Sequence, residues 1–437
     1  MYQTTIRLSP EQVEILEGKK GEALRKALES ILRFGEAFGA TELVALDAAV
    51  HLVTSFGLSV LEPVFEIMDE LIAAGLKTEK SFTVDPRPLD FKNVAVNPLE
   101  RLVFTKFMYS KQKKYEAQLR AVGLKDERAF TCACYFDEVG NKPKFGDNLA
   151  WAESSAVVYA NSVLGARSNR NSGVLELLCG IVGAAPRYGL LTDEGRRATW
   201  IVELRLKSLP EAQVLGSAIG MKVIEEVPYI VGLDTLLAAG RGATLDQRAK
   251  DYFKDMGAAA ASNGAVGLYH VDGLTPEAKA QGRSLVAAGA KTYIIDEAEL
   301  ERVKKGYPVM WRKPEAEPVL AFIGCPHLSK EQLYAWLDRL EAAVARQGGK
   351  GAKKLRVRTV LTTAPDIEIA FRRDGSALAR LEALGAHLSA ICPLMYMNNP
   401  LCRGKAVVTC SNKLRTYTNA RYFTEAELAD IVARGSI

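Results

Sequence analysis

At 437 residues the chain exceeds what one core of ordinary size organises, so two or three subdomains are expected. Its 48% hydrophobic and 25% charged content is that of a globular protein. The net charge of +5 is too small an excess to point to a polyanionic partner. The start, MYQTTIRLSPEQ, has no apolar segment of a signal peptide, and no run approaches the roughly 18 apolar residues of a membrane span, so a cytoplasmic protein without membrane contact is expected.

Ser9-Pro10-Glu11-Gln12 is a capping box with proline at the first helical position, and predicts a helix start. Ala23, Leu24, Ala27, Leu28, Ile31 and Leu32 fall at helical spacing, giving a second helix from about Gly21 to Gly39. Residues 43–46 form a short apolar strand, 60–74 a helix ended by Gly75, and 81–84 a strand. Residues 149–164 predict a helix, followed by a break at Gly165, a polar loop over 166–173 and a helix over 174–182. Late strands are expected at 319–323 and 357–361, and Thr424 opens a last helix. This alternation means α/β architecture with mainly parallel sheets. Changes in the pattern suggest an N-terminal region 1–130, a central region 131–290 and a C-terminal region 291–437. The basic run Lys350–Lys354, with no aromatic residue interleaved, reads as a solvated turn and not as a nucleic-acid platform. Gly240-Arg241-Gly242 lacks the third glycine of a dinucleotide fingerprint, which disfavours nicotinamide chemistry.

The expected 149–164 helix is unusually polar for a packed one, with Glu153, Ser154, Ser155, Asn161 and Ser162. The loop after it offers Arg167, Ser168, Asn169, Arg170, Asn171 and Ser172 ahead of a helix start. Guanidinium forks, amides, hydroxyls and backbone N–H groups together suit an anion. The same composition suits a polar turn capped by Ser172 or Asn171.

The cysteines are Cys132, Cys134, Cys179, Cys325, Cys392, Cys402 and Cys410. An odd number spread thinly argues against a disulfide framework and for buried thiols, metal ligands or both. Cys325 follows an apolar strand, where sites in α/β sheets gather. Both Cys325 and Cys392 precede a proline, which biases them toward extended geometry. Cys179 reads as helix core.

Several blocks in this order resemble the large subunit of the aconitase X family. They are Thr131-Cys132; Ala150 to Val157; Tyr159 to Arg167 with Asn169-Arg170; Tyr188-Gly189-Leu190; Glu194-Gly195-Arg196-Arg197; Leu268-Tyr269-His270; Gly273 to Glu277; Gly324-Cys325-Pro326-His327; and Cys392-Pro393. The glycine spacing of Gly18, Gly21 and Gly35, and His51, fit as well. Cys134 stands where the family usually has proline, and Asn171-Ser172 departs from its usual loop, which bears on substrate more than on fold.

The resemblance implies an aconitase-like, multi-subdomain α/β/α fold and a hydro-lyase, with a cluster-binding but inactive member as the alternative. It implies an iron–sulfur cluster (4Fe–4S, or a degraded 3Fe–4S or 2Fe–2S form) on Cys132, Cys325 and Cys392. Substrates known for the family are cis-3-hydroxy-L-proline and mevalonate 5-phosphate. On this reading His51, Glu153, Ser154 and Ser155 are candidate catalytic residues. Asn161, Ser162, Arg167, Asn169, Arg170 and Lys413 are candidate substrate anchors, Lys413 because Thr409 to Lys413 looks like a family segment. His270 and His327, at strand ends, are less direct candidates. A separate small swivel-domain subunit is expected to close the site and bring a serine base.

Overall fold

Ser9 opens the first helix as its capping box predicts. Its hydroxyl accepts from Gln12 N–H, and the Gln12 side chain accepts from Ser9 N–H. The computed structural model describes residues 2–94, 96–237, 244–347 and 354–437. The Gly240-Arg241-Gly242 segment and all of the basic run except Lys354 lie outside the described residues. Helix Glu22–Ala37 buries Ala27, Leu28, Ile31 and Leu32, the face its spacing predicts. Helices Glu62–Ala73 and Gly173–Val182 follow the sequence reading within two residues. Glu425–Arg434 likewise carries a complete capping box, from Thr424 to Glu427.

Two parallel sheets organise the rest. One runs, edge to edge, His270–Val271, Pro228–Val231, Ala198–Arg205, Val286–Asp296. The other runs His387–Ser389, Arg358–Thr363, Leu320–Leu328, Val407–Thr409, Arg421–Tyr422. The strand Leu320–Leu328 is buried at every residue. Its neighbours explain this, because parallel strands are covered on both faces. Ala321 and Ile323 enter the main core with Leu361, Leu388 and the helix residues Leu333 and Leu337, whereas Leu320, Phe322 and Cys325 enter a second core with Phe104, Tyr109 and Tyr396. From Leu320 to Ile323 the alternation is the period of two that a strand imposes, and Gly324, at φ +104°, breaks it so that Cys325 falls on the side of Phe322. A third core, around Phe65, Phe82, Leu119 and Cys179, fills the N-terminal lobe, so Cys179 is helix core. Among the described residues no helix is long and apolar enough to cross a membrane.

One expected helix is shorter than its apolar spacing suggests. Residues 149–152 are extended: Leu149 N–H donates to Arg167 O at 2.8 Å, and Ala152 N–H to His51 O at 3.0 Å. With those groups spent on neighbouring segments, the helix begins only at Ser154–Tyr159 and continues as a π-turn, Ala160–Leu164, to Gly165 at φ +73°. Trp151, fully buried, bridges to both His51 and Arg170 along this ribbon. The signature segment thereby lies against the strand His51–Leu52 and delivers Glu153 at its end.

Candidate active site

The central strand positions the first thiol. Gly324, at φ +104°, turns the backbone ahead of Cys325, and a Cβ there would lie 2.4 Å from Thr362 O, so only glycine fits. Ser411 Oγ donates to the Cys325 carbonyl and caps the helix Asn412–Tyr417 that carries Lys413. Cys392 is the N-cap residue of Pro393–Met397. His327, two residues beyond Cys325 and fully buried, ties the three cysteine segments together. Its N–H donates to Cys132 Sγ at 3.3 Å, its Nδ1 lies 3.0 Å from Thr131 Oγ1, and its Nε2 lies 3.2 Å from Ile391 O. A carbonyl can only accept, so the ring proton belongs on Nε2, and Nδ1 accepts from the threonine hydroxyl. Burial pushes the imidazole down to about 4, which keeps it in this neutral form.

Around the thiols stands a buried polar group. Lys413 Nζ donates to Glu153 Oε1, which also accepts from Ser155 N–H at 3.0 Å and Ser155 Oγ at 2.8 Å; Ser154 Oγ is 3.4 Å away. Burial alone would raise Glu153, but Lys413 and the Ser155 hydrogen bonds outweigh it and bring the carboxyl down to about 2. Burial likewise opposes the Lys413 ammonium, yet Glu153, Cys325, Asp85 and Cys132 on balance raise it. Asp85 is the opposite case. Burial first, and the Glu153 carboxylate second, push it well above the usual carboxylate range. His51 Nε2 faces Asp85 Oδ1 at 3.6 Å, too far for a hydrogen bond, and both atoms are buried without another partner. On its other side His51 Nδ1 lies 2.9 Å from Thr83 Oγ1, which accepts from Asn141 Nδ2.

All three thiols are raised by burial, Cys325 to about 11. The charges that act on them are shared: Asp85 and Lys413 influence all three, and Cys325 influences both Cys132 and Cys392. Cys132, Cys325, Cys392, Asp85, Glu153 and Lys413 therefore occupy one neighbourhood. Among the described residues no three His, Cys, Asp or Glu side chains converge on a single ion. The thiols of a cluster bind different irons and stand apart, so three neighbouring thiols beside two unpaired polar atoms still fit such a group. Cys134 and Cys179 are fully buried in apolar cores.

The signature loop does not join this neighbourhood by any described contact. Arg167 pairs with Asp193 and donates to Leu191 O. Arg170 reaches Ala261 O at 3.5 Å and lines a separate cavity with Arg197 and Glu226. Asn161 exchanges hydrogen bonds with Ser168, Gly267 and Arg196; Ser162 Oγ accepts from Tyr269 N–H; Asn169 bridges Tyr188 O and Leu190 N–H. These side chains are spent on holding the loop. Three other matched blocks meet as structure too. Arg196, 1% exposed, forms a bidentate pair with Glu277, and His270 Nε2 bonds to Arg196 O. Sequence reasoning missed Asp85 and Ser411. Asp85-Pro86 ends the strand Thr83–Val84, the same strand-end-plus-proline signal that marks Cys325.

Comparison with known proteins bears on this arrangement. A family model described as the aconitase X first domain matches residues 5–194, and one described as its second domain matches 198–305. The phosphomevalonate dehydratase large subunit of Thermococcus kodakarensis is 32% identical over 324 residues, 74% of each chain. That of Aeropyrum pernix is 30% identical over 98% of each chain. The cis-3-hydroxy-L-proline dehydratase of Pseudomonas aeruginosa is 26% identical over 90% of this chain and 63% of its own. The crystal structure of Thermococcus kodakaraensis aconitase X in its holo form superposes with a TM-score of 0.79 at 26% identity, covering 97% of this chain and 99% of the other.

Proposed function

Because the chain belongs to the aconitase X family, we infer that it is the large subunit of a hydro-lyase that removes water from a small hydroxy acid. The observation that carries this reading is the shared neighbourhood of three thiols, the Lys413–Glu153 ion pair and the His51–Asp85 couple. Mevalonate 5-phosphate is the favoured substrate, since a relative named for it aligns along 98% of both chains. cis-3-Hydroxy-L-proline comes second: the relative from Pseudomonas aeruginosa is longer than the part this chain matches. The seven unpaired cysteines suit a reducing compartment, the cytoplasm.

Cys132, Cys325 and Cys392 would hold an iron–sulfur cluster, which when bound supplies an open iron as Lewis acid for the leaving hydroxyl. Burial keeps the free thiols protonated, so loading releases protons from them. Lys413 anchors the substrate's acid group, and Glu153, itself fixed by Ser155 and flanked by Ser154, holds the ammonium in place. Dehydration breaks a C–H and a C–O bond and forms a C=C bond. Asp85, neutral through burial, has a proton to give the departing hydroxide, and His51 Nε2 stands 3.6 Å from its Oδ1. Environments that push two carboxyls apart assign them different work. The group that takes the carbon-bound proton is assigned to a separate small subunit, a reading supported by the words "large subunit" in the relatives' names.

The test is an anaerobic assay of the iron- and sulfide-loaded chain, alone and with its small subunit, against both hydroxy acids. The pair should release water from one of them and the chain alone should not. Iron-dependent absorbance should be lost in Cys325→Ser and kept in Cys179→Ser. A loaded pair that dehydrates neither acid overturns the reading.

A further inference from the structure

We propose that a second cavity, across the helix Asn412–Tyr417 from Lys413, binds a small dianion of the phosphate class. The cavity holds about 780 Å³, and its wall includes Arg312, Arg403, Arg415, Asn398, Tyr417 and Asn419, with no Asp or Glu. Its deepest cation is Arg415, 7% exposed. Nε donates to Asn412 Oδ1 at 2.7 Å, Nη2 donates to Asn263 Oδ1 and Thr416 Oγ1, and the guanidinium lies over Tyr307 at 4.2 Å from the ring centroid. Every one of those partners is neutral. A buried charge with neutral partners is costly, and the other buried guanidinium among the described residues, Arg196, is matched by Glu277. Arg312 and Arg403 are exposed at the wall, and among the described residues neither forms an ion pair.

Among the described residues of the wall, helix ends supply the opposing charge. Asn263, Met397 and Tyr417 in the wall are the last residues of Gln247–Asn263, Pro393–Met397 and Asn412–Tyr417. A helix C-terminus carries at most about half a negative unit, less when short, so three of them leave the three arginines in clear excess. Lys413 and Arg415, two residues apart, point roughly 200° apart around the helix axis. One faces Glu153 and the thiols, the other Asn263 and Tyr307. The cavity is thus separate from the cysteine neighbourhood. Guanidinium forks match phosphate oxygens in pairs, and three cations favour a dianion over a lone carboxylate.

The proposal does not rest on the dehydratase reading, since binding is measured without turnover. Inorganic phosphate and pyrophosphate are titrated calorimetrically into the full chain at low ionic strength. Arg312→Ala and Arg403→Ala, both exposed and outside the core, should each weaken binding at least about ten-fold, or about 1.4 kcal/mol. Added salt should weaken it further, and Arg434→Ala should leave it unchanged. Two sources of the phosphate are separated kinetically. If it belongs to the substrate, the same variants raise KM for the phosphorylated hydroxy acid alone. If it belongs to another molecule, KM is unchanged and phosphate still binds with substrate present. Equal phosphate affinity in the parent and both variants, or no binding below roughly 10 mM, overturns the proposal.

Discussion

His327 is the residue through which segments nearly 260 positions apart in the chain are held in register, since its backbone and ring reach Thr131, Cys132 and Ile391. His327→Ala removes the ring, leaving the Ile391 carbonyl and the Thr131 hydroxyl without that partner. A buried polar group left unsatisfied costs about 1–3 kcal/mol. The urea midpoint should fall accordingly and iron retained per chain should drop; an unchanged midpoint would refute the staple. Charged residues divide in the same way by what they touch. Arg167 pairs with Asp193, which is 84% exposed, and exposed pairs contribute about 0–1 kcal/mol. Arg167→Ala should therefore change kcat/KM by less than ten-fold. The double variant Lys413→Gln/Glu153→Gln leaves no buried charge alone, so it should fold, yet lose more than ten-fold in kcat/KM, one charge-assisted hydrogen bond being about 1.5–3 kcal/mol. The reverse ranking would move the anchor back to the loop.

Single elements differ in how far their sequence declares them. Both terminal capping boxes and the helix Glu22–Ala37 are decided by neighbours within four residues, and they stand where their spacing puts them. The 149–153 segment has helical spacing too, but its backbone is claimed by residues 51 and 167, a choice no local pattern records. For the same reason Arg167 and Asn169 look like ligands in sequence and are tied to the chain in space. The three thiols of the proposed site stand in family blocks that the sequence displays; Asp85 does not, because an aspartate before proline reads equally well as a turn. A half-buried carboxyl at an element's start also sets a pH dependence. Glu211, N-cap of Ala212–Val223, is raised to about 7 by burial first and by Glu425 next, with Arg339 opposing and Glu427 adding to the rise. A folded-state value above the ordinary 4.5 means the folded chain holds the proton longer, so stability is lost as pH rises from about 4.5 to about 7. Glu211→Gln should flatten that loss, read as urea midpoints at pH 5 and pH 7.5. An unchanged slope would show that other groups dominate.

For the molecule as a whole, Arg196, between the two segments that the family models treat as successive domains, pairs with Glu277 of the second and bonds to Asn161 and Leu190 of the first. The pair is buried and bidentate. Glu277→Ala should cost about 3–5 kcal/mol, because it strands a buried guanidinium, whereas Glu277→Ala/Arg196→Met should recover part of the loss. Calorimetric unfolding would check both. The long reach of Lys413 to Glu153, 260 residues back along the chain, has a consequence for how the protein is made. At about 5–20 residues per second, Glu153 leaves the ribosome roughly 10 to 50 s before its lysine exists. Cys132 waits a similar time for Cys325 and Cys392. That neighbourhood therefore closes only once Lys413 has been made, so loading of the proposed cluster falls after that point. Nonsense products that retain the whole first domain should accumulate metal-free.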